Sequence, residues 1–178
     1  GGDVDPRWSG VSPSDEAALE VGLQLAGTDD VTVVCVGPAE ADTVLRDALA
    51  AGAHHAVRIN ATTATSNDVA LAIAALAHDA DLVVCGDYSL DRGTGSVPAF
   101  LAGELSMAQA LGLLEVGRDS DAGALRVAAR EVEHAEDTSL AEIGTAGACT
   151  RDCAWLFSRC ISARIPGVVL RVSRIAAP

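Results

Sequence analysis

Asp91, Arg92, Gly93, Thr94, Gly95, Ser96 and Val97 make up the segment of this chain best furnished for chemistry. It follows an apolar run, Leu82-Val83-Val84-Cys85, that is short enough for a buried strand and ends at Gly86. A second apolar segment opens around Val97-Pro98 and reads as a helix. Strand, glycine-bearing loop and helix start form a phosphate cradle, because unpaired backbone N–H groups and the positive end of the helix dipole converge there. The same pattern also serves as a tight connection with nothing bound, and the loop alone does not choose between the two. Asp87 and Asp91 flank the loop, where carboxylates repel a phosphate unless Arg92 or the helix dipole offsets them.

Other reactive side chains carry less. Cys149, Cys153 and Cys160 show a C-x3-C spacing without a paired second half, and His134 is remote, whereas a structural zinc site needs four ligands. No metal site is expected. His54 and His55 follow Gly52-Ala53 in a turn and read as solvated rather than as ligands or a general base. A G-x-S-x-G elbow, an H-E-x-x-H pair and a C-x-x-C pair are all absent from the sequence. Residue chemistry therefore points to a nucleotide cradle and away from catalysis.

The elements that must position the loop follow from composition and period. The 178 residues suffice for one domain with a real core; 49% are hydrophobic and only 3% aromatic, so Ala, Val, Leu and Ile must build it. That palette suits helices packed on a parallel sheet. With 25 acidic against 12 basic residues the formal charge is −13, which argues against nucleic acid and anionic membrane as partners. No apolar run approaches the roughly 20 residues of a membrane helix. Five cysteines, two of them (Cys35 and Cys85) inside apolar runs, suit a reducing cytoplasm better than a disulfide framework. The opening Gly1-Gly2-Asp3 shows neither an initiator Met nor a leader, and reads as a fragment or a processed start.

Ser12-Pro13-Ser14-Asp15 starts a helix: Ser12 caps, Pro13 fits the first turn, and Asp15 and Glu16 complement the dipole. Gly27 closes that helix. Val31 to Val36 is a buried strand ended by Gly37-Pro38, and Ala39 to Ala51 a helix stopped at Gly52. Ala56 to Ile59 is a short strand, and Ser66 or Asn67 caps the next helix. After the loop come a helix to about Ala110, a strand over Leu111–Val116, and a paired strand within Ala124–Glu133. This rhythm predicts an α/β three-layer sandwich with a mostly parallel sheet, Rossmann-like, with ligands beyond the carboxyl ends of the strands. Beyond His134 the period is lost, and only Val168 to Val172 again resembles a strand.

Several of these segments match one family in order and separation. Ser12-Pro13-Ser14-Asp15 with Ala18-Leu19-Glu20 resembles the N-P-x-D and A-L-E of the beta subunit of electron transfer flavoproteins, a branch of the adenine-nucleotide α/β superfamily. Val33 to Pro38 followed by Leu45-Arg46-Asp47-Ala48-Leu49-Ala50-Ala51-Gly52-Ala53 resembles its strand, Gly-Pro and L-R-x-A-L-A-x-G-A helix. Asp81 to Gly86 through Asp91 resembles its D-L-V-L-x-G-x-x-A-I-D run. The form of the loop, D-Y-S-L-D-R-G-T-G-S-V-P, is similar to an actinobacterial subgroup associated with the peptide-derived redox cofactor mycofactocin.

The resemblance implies a non-catalytic electron carrier. It implies AMP as a structural ligand, an alpha subunit that holds most of the FAD in a heterodimer, and a dehydrogenase as electron donor. By position, the phosphate would lie on the backbone of Arg92 to Val97, and the adenine end near Ser12, Pro13 and Ser14 and near Cys35, Val36 and Gly37. Where the family has N-Q-x-G-Q, this chain has Gly95-Ser96-Val97-Pro98-Ala99, so the cradle is made mainly of backbone. The resemblance also implies a central first strand, missing ahead of Gly1, whose neighbours would lack a partner. It divides the chain into a nucleotide-binding domain over residues 1–133 and an irregular segment over 134–178, for which a frameshift or gene decay is the expected origin. A stand-alone adenine-nucleotide sensor of the universal-stress type, and a non-functional remnant, remain alternatives.

Overall fold

The structure, a computed structural model, describes residues 11–61, 64–86, 96–111, 113–118, 125–129, 155–159 and 168–173. The first helix, α1 (Pro13–Ala26), begins where the sequence requires: Ser12 is extended, and its Oγ accepts the Asp15 N–H at 2.9 Å. It stops at Gly27, whose φ of +60° is left-handed and cheap only for glycine. Strand β1 (Asp30–Gly37) leads through a 3₁₀ turn (Ala39–Ala41) into α2 (Asp42–Ala50), so the helix expected from Ala39 opens with one tighter turn. Strand β2 (His55–Asn60) follows. Helix α3 (Ser66–Ala77) is capped by Thr65 rather than by Ser66 or Asn67. Thr65 Oγ1 accepts the Asp68 N–H while the Asp68 carboxylate accepts the Thr65 N–H, a reciprocal box that neither neighbouring residue could form at this spacing.

Strand β3 (Leu82–Gly86) leads to the loop, and α4 (Val97–Leu105) follows it. Helix α4 is shorter than the sequence predicts. Ser106 takes a left-handed conformation, the Met107 N–H closes on the Ala102 carbonyl at 3.0 Å, and Ala108–Leu111 becomes strand β4. Strands β5 (Leu113–Arg118) and β6 (Leu125–Ala129) form the expected antiparallel pair, a separate two-stranded ribbon.

Beyond His134 the strand read over Val168 to Val172 is present as β8 (Val168–Ser173), and a second strand, β7 (Trp155–Arg159), lies where the sequence reads as irregular. Both join the main sheet, whose order is β2-β1-β8-β3-β7-β4. Strands β1 and β2, β3 and β7, and β4 and β7 pair in parallel, while β8 is antiparallel to β1 and to β3. Five strands thus run one way and one runs against them. Strand β8 lies between β1 and β3 and pairs with both. A central gap would leave two buried rows of backbone donors and acceptors unpaired, so an extended segment without helical period is drawn in whatever its sequence texture.

Alternation along β1 and β3 divides the core into two layers. Val31, Val33 and Cys35 with Leu82 and Val84 pack against α1 and α2. Val34 and Val36 with Val83 and Cys85 pack against α3 and α4 through Val69, Ile73 and Leu101. Strands covered on both faces read as continuous apolar runs, which is how β1 and β3 read in the sequence. No helix among the described residues is long and apolar enough to cross a membrane.

Candidate functional site at the strand switch point

Chain direction places the site. From β1 the chain passes through α2 to β2 on one flank, and then through α3 back across β1 to β3 on the other. The winding therefore reverses between β1 and β3, and the crevice beyond their carboxyl ends is the usual ligand position of such a sheet. Gly37 closes one strand and Gly86 the other.

The N-terminus of α1 lies over Gly86. A Cβ added there would stand 3.0 Å from Ser14 Oγ and collide with the Asp15 carboxylate. Ser12 and Ser14 are almost fully buried. Ser12 Oγ donates to Asp15 Oδ2 at 2.7 Å, and the same carboxylate accepts the Gly86 N–H. Burial pushes the Asp15 carboxyl up to about 6 from an ordinary 3.8, against the opposing pull of these two hydrogen bonds. Asp15 is thus the polar link between α1 and the end of β3, a role that capping logic alone had reduced to a dipole complement.

The β1 side is closed by a residue that sequence reading passed over. Arg58 on β2 pairs with Asp42 at 2.6 Å and donates to the Gly37 carbonyl at 3.4 Å and to Asn60 Oδ1 at 3.1 Å. The Ala61 N–H also donates to the Gly37 carbonyl, at 3.2 Å. In the β1–β2 ladder Arg58 stands opposite Cys35, a pairing that only the fold establishes. Burial raises the Cys35 thiol to about 12, with Asp15 adding to the rise and Arg58 opposing it. Cys85 is raised further, again by burial first and Asp15 second. Both are protonated core thiols, unsuited to nucleophilic or ligating work.

The structure brings Ser14 and Asp15 onto Gly86, bonds Ser12 to Asp15, and sets Asp15 close enough to act on Cys35 and Cys85. Pro13 is exposed in the first turn of α1, and the Val36 side chain points into the α3–α4 core. Ser96 stands at the N-cap of α4 without a side-chain cap bond, and Val97 opens the helix. Pro98 brings no N–H, so the first turn offers its backbone donors from Val97 and Ala99. Asp91, Arg92, Gly93, Thr94 and Gly95 lie outside the described residues, as do Cys149, Cys153 and Cys160. Among the described residues no group of three or more His, Cys, Asp or Glu side chains is placed to hold a metal. His54 and His55 are both exposed, as expected, and His54 Nδ1 also accepts the Val31 N–H at 3.1 Å at the entry to β1.

An electron transfer flavoprotein domain model matches residues 7–146. The chain belongs to the electron transfer flavoprotein family. Its relatives place it on the beta-subunit side. It is 38% identical over 111 residues to Protein FixA of Rhizobium meliloti, an alignment covering 56% of this chain and 38% of that protein. Against the electron transfer flavoprotein subunit beta of Clostridium acetobutylicum the identity is 33% over 127 residues, 66% of this chain and 48% of the relative. Similarity extends to the acryloyl-CoA reductase electron transfer subunit gamma of Anaerotignum propionicum, at 33% over 109 residues, 56% of this chain and 41% of the relative. The chain spans less than half the length of these curated relatives. Within the family frame, the switch-point cluster and the loop after Gly86 both fall inside the matched residues.

Proposed function

We propose that this chain is a non-catalytic electron-transfer subunit of the beta type, which clamps AMP at the switch point and pairs with an FAD-holding alpha subunit. The observation that supports it is the convergence of Ser14 and of Asp15, itself held by Ser12, on Gly86, where the glycine-bearing loop begins. The residues suit the ligand. Gly86 permits close approach where a side chain would collide, and the Asp15 carboxylate is an acceptor for ribose hydroxyls or the adenine amino group. The phosphate belongs on the far side, on the backbone of Arg92 to Val97 at the start of α4, where the helix dipole favours an anion. Cys35 and Val36 contribute backbone alone, because their side chains lie in the core.

In this reading the flavin supplies the redox chemistry, and the chain supplies placement. A rigid, nucleotide-filled domain holds the flavin-bearing partner close to a dehydrogenase donor, and no proton transfer is required of its own residues. Two buried protonated thiols, in a sequence without a G-x-S-x-G elbow, an H-E-x-x-H pair or a C-x-x-C pair, accord with that role. The compartment that suits it is the cytoplasm.

The test is co-expression of the full chain with the alpha subunit encoded in the same genome. A yellow one-to-one complex carrying one FAD, from which AMP is released on denaturation and identified by chromatography, is the expected result. A chain that stays apart from the alpha subunit and is instead stabilised by ATP as a homodimer would overturn it in favour of a free-standing sensor.

A further inference from the structure

Two strand pairs meet at one place in this sheet. Strands β2 and β1 form one parallel block, and β3, β7 and β4 form another. Among the described residues neither block pairs with the other directly, and β8 is the strand that joins them, pairing with β1 over six residues and with β3 over four. Its direction matters as much as its position. Because β8 is antiparallel, it starts at the carboxyl ends of its neighbours, with Val168 opposite Cys35 and Val169 opposite Cys85. The first residues of β8 therefore stand between the two strand ends beneath Asp15.

We propose that β8 is a latch whose seating between β1 and β3 sets the width of the switch-point site, so that ligand occupancy and β8 insertion are energetically linked. The inference rests on the nucleotide reading above. Adjacent strands lie about 4.8 Å apart, so one interposed strand holds the Cys35 and Cys85 ends about 9.6 Å apart. With β8 withdrawn, the main contacts among the described residues that still tie the two blocks come from helices: α1 on β1, β3 and β7, and α3 on β1 and α4. Those contacts keep the blocks in one molecule but do not fix the distance between strand ends. A ligand that bridges α1, Gly86 and the Gly37 end favours the seated spacing, and by linkage the seated strand favours the ligand.

The test uses the full chain in its complex with the alpha subunit and three proteins: the unaltered chain, Leu170→Pro and Leu45→Ala. Proline at the middle of β8 removes a ladder donor from a central strand. Leu45→Ala opens a cavity under α2, away from β8, and controls for lost stability. Hydrogen exchange across 168–173, 82–86 and 31–37 and alkylation of Cys35 and Cys85 are read with and without added AMP. AMP is expected to slow exchange in 168–173 together with 82–86 in the unaltered chain. Leu170→Pro is expected to raise Cys85 alkylation at least tenfold and weaken AMP about tenfold, while Leu45→Ala leaves AMP affinity within twofold. Unprotected amides in 168–173 beside protected amides in β1 and β3 would overturn the latch whether or not AMP binds. So would a Leu170→Pro chain that keeps AMP affinity and buried thiols. Protection of 168–173 and its loss in Leu170→Pro, with no response to AMP in any of the three, would leave β8 as a structural strand and overturn both the linkage and the nucleotide reading. A ligand effect confined to 82–86 would overturn the linkage alone.

Discussion

Asp15 carries more of this site than its place in a capping motif suggests. Its carboxyl is raised to about 6 because burial costs the charged form more than the Ser12 and Gly86 hydrogen bonds return. The sign of its pH dependence follows. A folded-state pKa above the unfolded value means that the folded chain binds more protons between about pH 4 and pH 6, so stability falls as pH rises through that window and is flat above it. The fall amounts to about 2–3 kcal/mol, from a shift of about two units at roughly 1.4 kcal/mol each. Denaturation at pH 4.5 and pH 8 should show this difference in the natural chain and lose it in Asp15→Asn. Gly86→Ala should cost about 1–3 kcal/mol, as overpacking usually does, since its Cβ would meet Ser14 and Asp15; it should also weaken AMP, measured by calorimetry. Ser12 and Ser14 were legible as residues of interest from the N-P-x-D likeness. That Asp15 reaches Gly86, about seventy positions away in the chain, was not, because capping rules describe only the local turn.

Among the elements, the ends of α1 were the best specified and β7 the worst, whereas β8 was legible over Val168 to Val172. Ser12, Pro13 and Gly27 bound α1 as capping chemistry demands. For α3 the cap shifted by one residue, to Thr65, because a capping box needs an acceptor three residues on, and Asp68 supplies it. Thr65→Ala should therefore cost about 1 kcal/mol, read as a lower denaturation midpoint with an unchanged m-value. His54→Ala should cost a similar ~1 kcal/mol by leaving the Val31 N–H without its acceptor at the start of β1. Neither α4 nor β4 was bounded correctly from sequence. Ala108 to Leu111 carries no helix breaker, and its strand conformation follows from pairing with β7, with Ala108 opposite Trp155.

At the scale of the molecule, two cores lie back to back across one sheet. Leu45 belongs to the α1–α2 layer and Ile73 to the α3–α4 layer, with no shared neighbours in either cluster. Leu45→Ala and Ile73→Ala should each cost about 2–5 kcal/mol. Sites this far apart add to within about 0.5 kcal/mol, so a double-mutant cycle by urea denaturation should return little or no coupling. The sequence by itself determined the alternation of strand and helix, the two-sided burial of β1 and β3, the capped start of α1 and the family. All of these depend on neighbours within a few residues or on runs of a single texture, and local sterics and hydrophobic period write them directly into the chain. Only the tertiary structure decided that β8 lies antiparallel between β1 and β3, that Arg58 holds the Gly37 carbonyl, and that the first turn of α1 rests on Gly86. Strand order and register come from satisfying backbone hydrogen bonds between distant segments, a demand that every extended segment makes equally and that no local pattern records. The glycine-bearing loop after Gly86 is therefore legible in the sequence, but the seating of α1 on Gly86 is a product of the fold.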